Sequence, residues 1–157
     1  MPYHVAKFSR QEEFKDHAMK INPGINKTVT TIDENHTALE AAQLMTENQI
    51  GSVVVTSHAQ VVGIFTEREL MMQVVGKGRE PGNVKIKGVM HTDHLKINPE
   101  ATCDEALQIM KEKRCRHLLV FNNDEFIGLI SLRDIVVLTL QEKDDLIQQL
   151  EGYISVT

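Results

Sequence analysis

The chain has 157 residues, 41% of them hydrophobic and 4% aromatic with no Trp, so a core must be built from Val, Ile, Leu, Met and Ala, and one compact domain is expected rather than a large enzyme domain plus a regulator. A formal charge of −5 argues against nucleic acid as a partner, because phosphate-tracking proteins carry a broad basic surface. No apolar run approaches the length of a membrane span, the opening MPYHVAKFSRQEEF has no secretory core, and two cysteines, Cys103 and Cys115, make no disulfide framework; the expected address is the cytoplasm, without membrane attachment.

Residues 1–28 read as a leader that matches nothing further along the chain, with a short helix around Gln11 to Lys20 stopped by the turn signal Asn22-Pro23-Gly24. Val29 to Ile32 reads as a strand. Thr37 opens a helix through about Asn48, with Ala38, Ala41, Ala42 and Met45 on one face. Ser52 to Thr56 reads as a buried strand and Gln60 to Thr66 as a second, joined by the short turn Ser57 to Ala59; Glu67 to Val75 reads as a helix. Gly76 to Gly82 is basic and rich in glycine. It follows a helix and lacks the G-x-x-x-x-G-K-S/T spacing of a phosphate loop, so it reads as a linker. After a helical turn at Val84 to Met90 the same order of elements returns from Leu95 to Val137. The last helix then runs on, with Leu146, Ile147, Leu150 and Ile154 as an apolar stripe suited to a partner.

The return is a duplication. A shift of 65 positions, without a gap, lays Ile32, Thr37, Glu40, Ala41, Gln43, Met45, Val55, Gly63 and Arg68 on Ile97, Thr102, Glu105, Ala106, Gln108, Met110, Val120, Gly128 and Arg133. A fixed period of this size marks two copies of one supersecondary unit. Each copy, of about 45 residues, is too small to shield a sufficient core alone, so the two are expected to pack together. The expected division is a leader 1–28, a first repeat 29–76, a linker 77–93, a second repeat 94–137 and a C-terminal helix 138–157.

In both copies the second hairpin strand ends in Gly-x-x-hydroxyl-x-x-acid: Gly63 to Glu69 (GIFTERE) and Gly128 to Asp134 (GLISLRD). The hydroxyl stands where strand becomes helix, and a helix N-terminus offers free N–H groups to a phosphate. A carboxylate one turn on can accept both hydroxyls of a ribose diol, and Arg68 or Arg133 adds a planar donor fork. The same spacing also builds a helix capping box. Thr37-x-x-Glu40 and Thr102-x-x-Glu105 carry it at helices where nothing suggests a ligand, so capping and ligand binding both remain open.

These tandem β-α-β-β-α units, with Val29-Thr30-Thr31-Ile32, Ile50 to Val55 and GIFTERE, then Cys115 to Val120 and GLISLRD, resemble the CBS-domain pair, or Bateman module, over Val29 to about Val137. The closing Gln148 to Ile154 is similar to the C-terminal helix of stand-alone bacterial members. The resemblance implies an α+β fold of two pseudo-symmetric repeats packed through their sheets. It also implies a non-catalytic regulator that binds AMP, ADP, ATP, S-adenosylmethionine or a dinucleotide such as NAD(H) between the repeats, and that acts on an enzyme or transporter.

Carried across, the resemblance gives Asp134 the ribose, Ser131 and Arg133 the phosphate, and the neighbourhood of Ile97, Arg116 and Leu118 the adenine, with Arg116 and His117 as phosphate contacts. The matching first set is Thr31, Val53, Thr66, Arg68 and Glu69. Lys111, Lys113, Arg114, Arg116 and Arg133 cluster in the second copy, so polyanions should prefer it. The first copy has Glu69 where the family has Asp, and Glu67 adds negative charge; its ligand should be weaker, less charged or absent.

Other features are weighed against that reading. His91-Thr92-Asp93-His94 offers metal-ligand chemistry but no further Cys or His nearby, so no metal is expected. His4, His17, His36 and His58 read as surface. Cys115, between Arg114 and Arg116, is a candidate for a lowered thiol pKa, but its counterpart Ile50 marks an apolar position. Leu70 to Val75, with Met71 and Met72, and Ile135 to Leu140 carry more apolar surface than one domain buries, so a two-fold homodimer is expected. The competing function is a constitutive interaction module without a ligand. An enzyme finds no nucleophile, base and orienting group at a usable spacing, and no cofactor is required.

Overall fold

The computed structural model describes residues 18–92 and 96–155; the expected helix at Gln11 lies almost wholly outside them, as do His4, His17, Asp93 and His94. Its strands and helices are β1 (Thr31–Asp33), α1 (Ala38–Glu47), β2 (Ser52–Ser57), β3 (Gln60–Thr66), α2 (Glu67–Glu69), β4 (Lys96–Ile97), α3 (Cys103–Lys113), β5 (His117–Asn122), β6 (Glu125–Ser131) and α4 (Leu132–Ser155). This is an α+β chain with two β-α-β-β-α repeats. It forms two compact units, one holding the described residues of Asn26–Leu95 and the other those of Met1–Ile25 with Lys96–Thr157.

Each unit has one three-stranded sheet, ordered β1-β2-β3 or β4-β5-β6. The first pair in each is parallel, as a helical crossover requires, and the second is an antiparallel hairpin. Val53, Val54 and Val55 are all buried, so β2 has lost the alternation of a one-sided strand. Ala38, Ala41 and Met45 of α1 pack on Val53, Val55 and Phe65. Small alanines let the helix lie close to the sheet. The duplication reaches details that no glycine signals. The register slips at Val55/Thr56 and again at Val120/Phe121, and the left-handed residues Gln49 and Arg114 follow the two first helices at φ 55° and 52°.

The expectation that residues 1–28 match nothing is corrected. Cys103 N donates to Met19 O at 2.8 Å and Ile21 N to Ala101 O at 3.0 Å; Ala38 N donates to Val84 O at 2.8 Å and Ile86 N to His36 O at 2.9 Å. Those residues are 65 apart throughout. The stretch before the first repeat therefore completes the second unit, and the stretch before the second repeat completes the first. Ile21 and Ile86, both wholly buried, are the matching plugs. The identity is carried only by Lys20/Lys85 and Ile21/Ile86, too short a match to stand out in the sequence.

The last helices differ. The expected helix Glu67 to Val75 is an α-turn Glu67–Glu69, a π-turn Leu70–Val74 and a 3-10 turn Val75–Lys77, closed by Gly78 at φ 65°. Val75 N donates to both Leu70 O and Met71 O. A Cβ on Gly76 would stand 2.7 Å from Met71 O, so glycine permits this wide turn. The second repeat has Gln141 there, and α4 continues unbroken to Ser155.

Candidate functional site

Thr66 and Ser131 end the second hairpin strand of each unit and stand directly before a helix, where the first N–H groups have no acceptor within the helix itself. Ser131 donates to Asp134 Oδ2 from its N–H at 2.8 Å and its hydroxyl at 2.6 Å, and Asp134 N–H returns a bond to Ser131 Oγ at 3.1 Å. Thr66 N–H likewise donates to Glu69 Oε2 at 3.1 Å, its hydroxyl donates to the same oxygen, and Arg68 N–H donates to Thr66 Oγ1 at 3.2 Å. Thr37 with Glu40 and Thr102 with Glu105 form capping boxes too. Hydrogen bonding alone therefore does not set the two motifs apart. Burial does: the strand-to-helix pairs are part-buried, and the other two are exposed.

The two acids then diverge. Among the described residues, both side-chain bonds that Asp134 accepts fall on Oδ2, and Oδ1 accepts none. Glu69, longer by a methylene, turns Oε1 towards His91 Nδ1 at 3.8 Å; their side chains are 12% and 30% exposed. His91 is held there by backbone pairing with Ile64, its N–H donating at 2.8 Å and its carbonyl accepting at 3.0 Å. Its Nε2 is buried with no partner among the described residues. The segment read for metal chemistry thus supplies a neighbour for Glu69. Among the described residues no cluster of His, Cys, Asp and Glu is placed to hold a metal.

In the second unit the site residues gather at one end of the sheet. His117 lies opposite Ser131 across the hairpin, and Leu132 N–H donates to Arg116 O at 2.8 Å. Arg116 and Arg133 are exposed, as are Lys111, Lys113 and Arg114. Leu118 and Ile97 are buried, and Ile97 pairs with Val120, two residues along β5 from Leu118. In the first unit Thr66, Arg68 and Glu69 share one helix start. Thr31 is an exposed residue of the outer strand, whereas Val53 lies in the core with Ala38 and Ala41, its side chain enclosed.

A hollow of about 350 Å³ opens in the first unit between the end of α1 and the start of α2, lined by Met45, Gln49, Ile50, Gly51, Glu67 and Leu70 among others. It touches none of Thr31, Val53, Thr66, Arg68 or Glu69. The Glu67 carboxylate lies over Gly51, where an added Cβ would meet it at 3.0 Å. The second repeat has Arg116 and Leu132 at those positions. Sequence reading noticed the charge of Glu67 but not this packing, which depends on how the strand start and helix start meet.

Neither cysteine is in a disulfide, and burial raises the Cys103 thiol pKa, which makes it a poor nucleophile. No helix among the described residues is long and apolar enough to cross a membrane.

The family model described as "CBS domain" matches twice, over residues 21–76 and 86–140. Both matches begin at the buried isoleucine plugs. The CBS domain-containing protein YhcV of Bacillus subtilis is 28% identical over 109 residues, 69% of this chain and 77% of its own. The mitochondrial CBS domain-containing protein CBSX3 of Arabidopsis thaliana is 28% identical over 123 residues, 75% of this chain but only 60% of its own. A solved structure, a putative signal-transduction protein with CBS domains from Burkholderia ambifaria, is 33% identical with a TM-score of 0.67, covering 70% of this chain and 81% of that one.

Proposed function

The chain belongs to the CBS-domain family and carries the tandem pair, a regulatory module; from that premise we propose that it senses an adenosyl ligand, with the second repeat as the principal site. The reading rests on one observation. Asp134 is half-buried at a helix start, with one carboxylate oxygen spent on its own cap and the other without a hydrogen bond among the described residues; Arg133 is its exposed neighbour in the chain, and the carbonyl of exposed Arg116 accepts from Leu132 N–H at the same helix start. Oδ1 suits a ribose hydroxyl, and the two guanidinium groups suit phosphate. In the first repeat His91 occupies the side of Glu69 that would face a sugar, so that site is weaker or vacant. The ligands in view are AMP, ADP, ATP, S-adenosylmethionine and NAD(H). Binding favours one arrangement of the repeats through its differential affinity for it, and a separate cytoplasmic enzyme or transporter reads the result. The module is non-catalytic and works as a homodimer.

Thermal unfolding with and without nucleotide tests this. A ligand at about a hundred times its Kd adds about 2.7 kcal/mol, a rise in Tm of roughly 5–10 °C for a chain of this size. Asp134→Asn should keep the neutral cap and most of the unliganded Tm, yet lose that rise. No rise in the unmutated chain with any of these ligands at millimolar concentration would overturn the reading.

The formation of all four capping boxes favours a second reading, a constitutive interaction module in which Ser131 and Asp134 do nothing but cap. It predicts that Asp134→Ala lowers Tm and that nucleotide changes nothing.

A further inference from the structure

Beyond Leu138, which is buried, α4 offers its own unit no buried side chain: residues 141–154 are exposed on every side. Fourteen residues of helix extend for about 21 Å. Such a length standing alone is marginal in water, and Gly152 weakens it further.

Its apolar residues follow a heptad. With Leu140, Ile147 and Ile154 in one row of the repeat and Val136, Lys143 and Leu150 in the other, five of the six seam positions are large hydrophobics, and all five are at least 48% exposed. A period of 3.5 residues is the pattern of two helices wound about each other. The seam runs from Val136 and Leu140, which belong to the repeat-end patch, to Ile154, broken only by Lys143.

We infer that α4 pairs with α4 of a second copy as a parallel two-stranded coiled coil along this seam. The inference extends the self-association in the functional reading and is independent of the nucleotide. The seam is self-complementary, because its rows meet their own copies across a two-fold axis. Ile147 and Ile154 in the first row, with Leu150 in the second, are the combination that favours two strands in parallel. Charge fixes the direction. The positions next to the second row are Val137, Asp144 and Glu151. An antiparallel pair would set the two acids of one helix against the two of the other. A parallel pair sets Asp144 against Thr139 and Glu151 against Leu146, and brings Lys143 beside Asp144 of the partner subunit, reciprocally, which offsets the meeting of Lys143 with its own copy across the seam.

Disulfide trapping of the whole chain, in a Cys115→Ser background, tests the arrangement. Leu150→Cys stands in the seam at the same level in both copies, so mild oxidation should convert most of the chain to covalent dimer. Gln148→Cys, on the outer side, should leave it monomeric on a non-reducing gel. Ile147→Glu added to Leu150→Cys should abolish the cross-link and lower helicity by circular dichroism. A dimer by sedimentation that fails to cross-link at Leu150, or cross-links equally at Gln148, overturns the parallel coil and leaves only the repeat-end patch. An unmutated chain that sediments as a monomer removes both.

Discussion

A single methylene separates the two candidate sites. Asp134 is short enough to cap its helix through Oδ2, with no hydrogen bond to Oδ1 among the described residues, whereas Glu69 reaches out to His91. That approach depends on Gly63, because a Cβ there would stand 2.7 Å from the His91 carbonyl, a backbone atom that cannot swing aside. Gly63→Ala should therefore cost about 1–3 kcal/mol, as overpacking does, and detach the His91 segment from β3. Urea unfolding measures the cost. An unchanged midpoint would mean that the segment shifts freely.

At the scale of elements, capping and plugging explain most of the local order. Hydrogen bonds from the Thr37 N–H and then its hydroxyl hold the Glu40 carboxyl below its ordinary value of 4.5. A carboxyl whose pKa falls on folding contributes stability that is complete above its unfolded pKa and is lost as pH drops through the lowered folded value. Glu40→Gln keeps a neutral box. The stability gap between it and the unmutated chain should thus be largest near neutrality and close as pH falls below about 4.5, followed by urea midpoints across that range. The plugs make a second prediction. Ile86→Ala removes a wholly buried side chain from the first unit, and Ile21→Ala its counterpart from the second; each should cost about 2–5 kcal/mol by the same measurement. A negligible loss at either would show that these segments are not part of the core.

The whole molecule leaves corresponding apolar surfaces uncovered. Met71, Met72 and Val75 in one unit and Val136, Val137 and Leu140 in the other are 45–61% exposed and lie 65 apart, position for position. Matching patches of this kind suit a two-fold assembly. Met71→Glu should weaken it, seen as a concentration-dependent fall in mass by sedimentation, with little change in monomer stability because the side chain is not part of the core.

Much of this was legible in the chain itself. The duplication, the order of elements, β3 to the residue and the capping boxes are local patterns, since a strand's apolar run or a hydroxyl three residues from an acid carries its own signal. The joining of Met19 to Ile21 to the second repeat and the docking of Val84 to Ile86 on the first, the meeting of His91 with Glu69, and the π-turn after Glu69 were decided by tertiary structure. Each joins groups distant in sequence, or settles a backbone between competing turns, through packing that no window of neighbouring residues contains.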